Sequence, residues 1–72
     1  MNKNEFISVM KKYGDNQSDV AAYIGISLQR FNAKLNETGG AEFTQGEIQK
    51  VKEKYNLSSE EVNKIFFEDY VS

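Results

Sequence analysis

An all-α fold, a compact bundle of about five short helices, is what this 72-residue sequence predicts. Three observations lead there. The chain has no proline and only five glycines. Its apolar residues recur at helical spacing, and no run alternates as a half-buried strand does. Helix-start chemistry also recurs along the chain, at Ser27, Thr44 and Ser58.

The first helix is expected over residues 3–13, with Phe6, Met10 and Tyr13 on one face, and ends at Gly14-Asp15-Asn16. Gln17 opens the second, whose small apolar stripe is Val20, Ala21 and Ile24. Gly25 stands just past its end, where a positive φ is common and glycine adopts it without steric cost. Ile26 fills the angle between helices, and Ser27 follows as an N-cap whose hydroxyl can accept a free backbone N–H. Phe31 and Leu35 give the third helix its stripe, and Ala21 is small where the two helices cross. Residues 17–37 therefore read as a helix-turn-helix within one domain, residues 1–72. Leu28 has two readings: it extends the Phe31 and Leu35 stripe into the core, or it lies outside.

Gly39 and Gly40 mark a flexible connector before Phe43. Thr44-Gln45-Gly46-Glu47 then forms a capping box, with Phe43 and Ile48 as its hydrophobic staple, and Ile48, Val51 and Tyr55 continue the fourth helix inward. The device recurs with Ser58 and Glu61 as box and Leu57 and Val62 as staple. Val62, Ile65 and Phe66 face inward on the fifth helix. In the tail, Phe66 and Tyr70 close the core and Phe67 is half exposed, or the aromatic surface is a docking patch for another protein.

Composition narrows the function classes. Seventy-two residues make one domain, near the size where a single core is marginal. The chain has no cysteine, histidine or tryptophan, so a disulfide framework and thiolate or imidazole metal sites are excluded. Lys3, Glu5, Lys11 and Lys12 interrupt the first apolar residues, so no signal segment or membrane span is expected, and a cytoplasmic protein follows. Nine basic against eleven acidic residues give a net charge of −2, with a pI near 5.0, whereas nucleic-acid-binding domains usually carry a basic face. Lys50, Lys52 and Lys54 point different ways around a helix and make no basic stripe. Catalysis is not expected, since no matched acid–base pair or nucleophile motif is present. Glu60-Glu61 and Glu68-Asp69 splay apart as sequence neighbours. No EF-hand, phosphate loop or zinc set appears, so no cofactor or metal is expected.

Gln17, Ala21, Gly25-Ile26-Ser27 and Phe31 together resemble the phage Cro/repressor type of helix-turn-helix. More narrowly, the whole chain resembles the modulator-of-repression (antirepressor) proteins of temperate lactococcal phages. That resemblance implies a phage genetic-switch protein in a bacterial cytoplasm, one that binds the N-terminal DNA-binding domain of the phage repressor and changes how the repressor occupies its operators. In DNA-reading members the start of the recognition helix enters the major groove. By position, Ser27, Leu28, Gln29, Asn32 and Ala33 would be the exposed readers here, and Arg30 and Lys34 the only cations on that helix. Gln29 and Asn32 suit adenine edges, whereas Leu28 suits only a thymine methyl.

Two functions follow. In the first, the same face, Ser27, Leu28, Gln29, Arg30, Asn32 and Ala33, docks on a repressor. Leu28 is then the dry centre, and Asp15, Asp19, Glu37 and Glu42 form an acidic rim facing the repressor's basic DNA surface. In the second, the protein is a Cro-like dimer that reads operator DNA directly with its third helix, alone or together with repressor. Asp15 and Asp19 count against this second reading, because carboxylates beside the second helix repel phosphate. A structural role is also open to each residue: Asp15 and Asp19 as complements to a helix dipole, Gln17 as a capping residue.

Overall fold

Every α-helix of the computed structural model, which describes residues 1–68, starts on a side-chain cap. The helices are α1 (Lys3–Lys12), α2 (Gln17–Ile24), α3 (Leu28–Leu35), α4 (Gln45–Tyr55) and α5 (Ser59–Val62), the last running on into a π-helical turn, Asn63–Phe67. A 3₁₀ turn, Thr38–Gly40, lies between α3 and α4, and the described residues contain no strand. Asn2, Asn16, Ser27, Thr44 and Ser58 each accept the N–H three residues on, at 2.8 to 3.2 Å. Each such bond satisfies a donor that the helix leaves open and contributes about 1 kcal/mol. Three of the caps are reciprocal boxes: Asn16 with Asp19, Thr44 with Glu47, and Ser58 with Glu61. Sequence reading found the second and third.

Helix endings are as local. Gly25 takes φ 92°, and its N–H and that of Ile26 both donate to the Ala21 carbonyl. Asn56 ends α4 in the left-handed region at φ 51°, a conformation its short side chain tolerates.

Inside, four phenylalanines form an aromatic cluster. Phe6 lies 5.9, 5.7 and 5.3 Å, centroid to centroid, from Phe31, Phe43 and Phe66. Phe43 completes the cluster against Phe31 and Phe66 at 5.5 and 5.8 Å. The rings meet edge to face or tilted, the geometry their quadrupoles favour. Four segments far apart in sequence are thereby tied together: α1, α3, the connector and the final turn. Met10, Val20, Ala21, Ile24, Leu35, Val51, Tyr55, Leu57, Val62 and Ile65 fill the rest of the core, and among the described residues no polar or charged residue is buried. Near the chain's start, the Asn2 N–H donates to the Ile65 carbonyl at 2.7 Å, closing α1 against the last turn.

Two expectations need correction. The first helix ends at Lys12, and Tyr13 is not core: it is 52% exposed. Its ring instead lies 5.0 Å from that of Tyr55, and its hydroxyl donates to the Tyr55 carbonyl. At the other end Phe66 is buried while Phe67 is 63% exposed. Tyr70, expected in the core, lies outside the described residues. Among those residues no helix is long and apolar enough to cross a membrane.

Candidate functional site

The head of α3 is positioned by three consecutive residues and one lysine. Gly25 turns the chain out of α2, Ile26 packs half-buried against the core, and the Ser27 hydroxyl accepts the Arg30 N–H at 3.1 Å. Across the turn, the Lys50 ammonium donates to the Ile24 carbonyl at 3.0 Å. That bond satisfies a carbonyl at the negative end of α2 and fastens the turn to α4.

From this head, the third-helix stripe splits. Phe31 and Leu35 are 0% and 1% exposed, whereas Leu28, on the same i, i+3, i+7 spacing, is 43% exposed. Of its two readings, the core one fails, because Leu28 belongs to the first turn of α3, beyond the edge of the bundle. Ser27, Gln29 and Arg30 surround it, all exposed. Asn32 and Ala33 depart from expectation, being half-buried rather than exposed. The Asn32 amide donates back to the Leu28 carbonyl at 3.3 Å, so it is occupied locally rather than presented outward.

Lys34 also departs from its expected place among the helix's available cations. Its ammonium donates to both carboxylate oxygens of Glu47, at 2.6 and 2.7 Å, with the two side chains only 11% and 14% exposed. Burial of Glu47 opposes its ionisation, but the Lys34 and Thr44 hydrogen bonds outweigh that and hold its carboxyl below the usual range. Arg30 is thus the one α3 cation without a carboxylate partner among the described residues.

The expected acidic rim divides in two. Asp15 accepts from the Tyr55 hydroxyl at 2.7 Å and pairs with Lys54 at 3.3 Å. The Tyr55 hydrogen bond lowers its pKa more than partial burial raises it, with Lys54 assisting. Burial, with Asp15 beside it, raises the Tyr55 phenol in turn. Asp19 completes the α2 capping box by accepting the Asn16 N–H at 2.9 Å. Both carboxylates are therefore structural acceptors at the start of α2. Glu37 and Glu42 lie elsewhere and line a depression with Phe43, Ile48, Phe66 and Phe67. Glu42 is exposed, and Glu37 meets the Met1 ammonium at 3.3 Å.

No family model, curated protein or solved structure matches this chain. The site therefore stands on its own chemistry. The described residues include no group of three or more His, Cys, Asp or Glu side chains arranged to hold a metal ion. The head of α3 offers an exposed apolar side chain, an amide, a hydroxyl and a guanidinium, which suits contact with a surface. Sequence reasoning missed the Lys34–Glu47 and Tyr55–Asp15 pairs, since neither is near in sequence. It missed Asn16 as a cap although the signal was present, an Asn-x-x-Asp run at the start of α2.

Proposed function

We propose that this protein is a phage genetic-switch transcription modulator, an antirepressor whose α3 head docks on the DNA-binding domain of a phage repressor and blocks or alters its operator binding. One observation carries the reading: Leu28 is exposed while its stripe partners Phe31 and Leu35 are fully buried. Removing the exposed part of a leucine from water contributes about 1 kcal/mol, comparable to the best exposed ion pair. Gln29, Arg30 and the Ser27 hydroxyl surround that apolar centre with hydrogen-bonding groups, the arrangement of a protein-binding patch. Charge supports the same partner, because a repressor's DNA face must be basic and this chain is net negative by 2.

A Cro-like reading, in which α3 enters the major groove of operator DNA, draws support from exposed Arg30 and Gln29. It is weakened by the engagement of Lys34 with Glu47, which leaves few phosphate-neutralising charges on the helix. Titration of the pure protein against operator DNA at low and physiological salt, with and without the cognate repressor, separates the two. The antirepressor reading requires no operator binding alone and release or redistribution of bound repressor. Tight, salt-sensitive operator binding by the protein alone establishes the Cro-like one instead.

A further inference from the structure

Three side chains along one face of α4 hold α2, the turn and α3 in sequence. Glu47, Lys50 and Lys54 stand at i, i+3 and i+7, the spacing that aligns side chains on one side of a helix. Glu47 receives Lys34 near the end of α3, Lys50 donates to the Ile24 carbonyl at the turn, and Lys54 meets Asp15 just before α2. Lys54 also lies 4.9 Å from the centroid of the Tyr23 ring on α2. The remaining α4 lysine, Lys52, is off this stripe and lines the depression between α4 and α5.

The Lys50 tie is unlike the other two. Its partner is a main-chain carbonyl and not a carboxylate, and no backbone N–H of the described residues outside the helix donates to that oxygen. Ile24 ends α2, so its carbonyl has no partner within the helix, and the negative end of the helix dipole favours a cation there. Lys50 has no carboxylate partner among the described ion pairs. Its ammonium is committed to the turn. Lys34 lies about 9 Å along the α3 axis from Leu28, at about 1.5 Å of rise per residue. The Glu47 clamp holds that far end of α3, and Lys50 supplies the α4 hydrogen bond beside the head.

We propose that Lys50 is a positioning residue for the α3 head: through the Ile24 carbonyl it fixes the direction in which Leu28, Gln29 and Arg30 are presented, and it does not meet the partner itself. This rests on the reading of that head as the docking surface. Such a tie raises affinity by keeping the binding-competent orientation populated, because apparent affinity scales with that population. Electrostatics gives the opposite sign for its loss. Removing a cation makes an acidic chain more negative, which favours encounter with a basic repressor surface. Positioning and charge therefore make contrary predictions for one substitution.

The test compares the full chain with three variants. Lys50→Met keeps the aliphatic stem, Lys50→Arg restores a donor of the same charge, and Lys52→Met loses the same charge off the stripe. Lys50 is exposed, so its replacement leaves the core intact. Residual dipolar couplings of the isotope-labelled proteins give the direction of the α3 head relative to α4. Calorimetric titration with the purified DNA-binding domain of the cognate repressor gives affinity. In Lys50→Met the couplings of Leu28, Gln29 and Arg30 change while those of α4 hold, and affinity falls about tenfold, the effect of one lost hydrogen bond from a charged donor. Lys50→Arg recovers both, and Lys52→Met keeps wild-type couplings and binds at least as tightly as wild type. Unchanged couplings in folded Lys50→Met overturn the proposal, as does affinity equal to or above wild type, or an equal loss in Lys52→Met. If the wild-type chain does not bind the repressor domain, the repressor reading falls, and the couplings, recorded without a partner, still decide whether Lys50 positions the head.

Discussion

Lys34 and Glu47 form the most enclosed ion pair of the described residues, and Glu47 serves two helices at once. Its carboxylate receives the Lys34 ammonium from α3 while its Oε1 also accepts the Thr44 N–H at 2.8 Å, closing the α4 capping box. The C-terminal half of α3 is thereby clamped to the N-terminus of α4. Glu47→Ala removes the carboxylate half of the box, leaving the Thr44 hydroxyl cap in place, and leaves Lys34 at 11% exposure without its partner. The expected cost is about 2–3 kcal/mol, from one lost hydrogen bond to the Thr44 N–H and one stranded cation. Lys34→Met, which keeps the box and the aliphatic stem, costs less, about 1 kcal/mol. Urea denaturation of the two variants checks the order; equal losses mean that the clamp is not shared.

Acid unfolding should track the same class of contact. Asp15, Glu47 and Glu61 all ionise below their ordinary values of 3.8, 4.5 and 4.5, the first through Tyr55, the second through Lys34 and Thr44 against the opposing effect of burial, the third through the Ser58 N–H and hydroxyl. A carboxyl whose folded pKa lies below its unfolded one stabilises the fold fully above the unfolded value and loses that contribution as pH falls through the folded one. The melting temperature is therefore flat near neutrality and declines below about pH 4.5, and Asp15→Asn makes the decline shallower. At the alkaline end the raised Tyr55 phenol keeps its proton in the fold after the unfolded chain loses it near its ordinary 10.0. Stability falls as pH rises past that point. Circular-dichroism melts from pH 3 to 11 read both limbs, and a melting temperature unchanged down to pH 3 contradicts the acid one.

Leu28 and Phe31 should separate binding from folding. Leu28→Asp alters an exposed side chain and leaves stability within about 0.5 kcal/mol, yet on the proposed function it reduces affinity for a repressor's DNA-binding domain at least tenfold. Phe31→Ala removes a fully buried ring from the aromatic cluster and costs about 3–5 kcal/mol, a large part of what a domain of this size holds. Folded Leu28→Asp binding with wild-type affinity removes the α3 head from the interface.

What the sequence made legible was local chemistry. Gly25-Ile26-Ser27, the Thr44 and Ser58 boxes and the Phe31 and Leu35 stripe all operate within four residues, where spacing determines contact, and each is found in the fold. Leu28 was ambiguous because spacing gives the direction of a stripe and not where the bundle ends. The engagement of Lys34, Asp15 and Asp19 was not legible for a different reason. Formal charge is visible in sequence, but its consumption by Glu47, by Tyr55 and Lys54, or by the Asn16 box depends on partners that for Lys34 and Asp15 arrive from 13 and 40 residues away. Gly46 was read only as a spacer inside a capping box, since nothing in the sequence indicates that the space above it is open.

One substitution at two glycines should act with opposite signs. At Gly25 the backbone has φ 92°, and although an added Cβ meets no neighbour within 4 Å, the conformation itself is strained for an L side chain. Gly25→Ala therefore costs about 1–2 kcal/mol with no steric clash to relieve. At Gly46 the backbone is helical and the space is open, so Gly46→Ala gains about 0.5 kcal/mol from reduced freedom of the unfolded chain. For a chain of this length those changes correspond to a melting temperature about 4–16 °C lower for the first and about 2–4 °C higher for the second. The comparison isolates backbone conformation, because the same methyl is added in open space both times. A stabilising Gly25→Ala means that the turn into α3 does not hold a left-handed residue, and with it goes the geometry that presents Leu28.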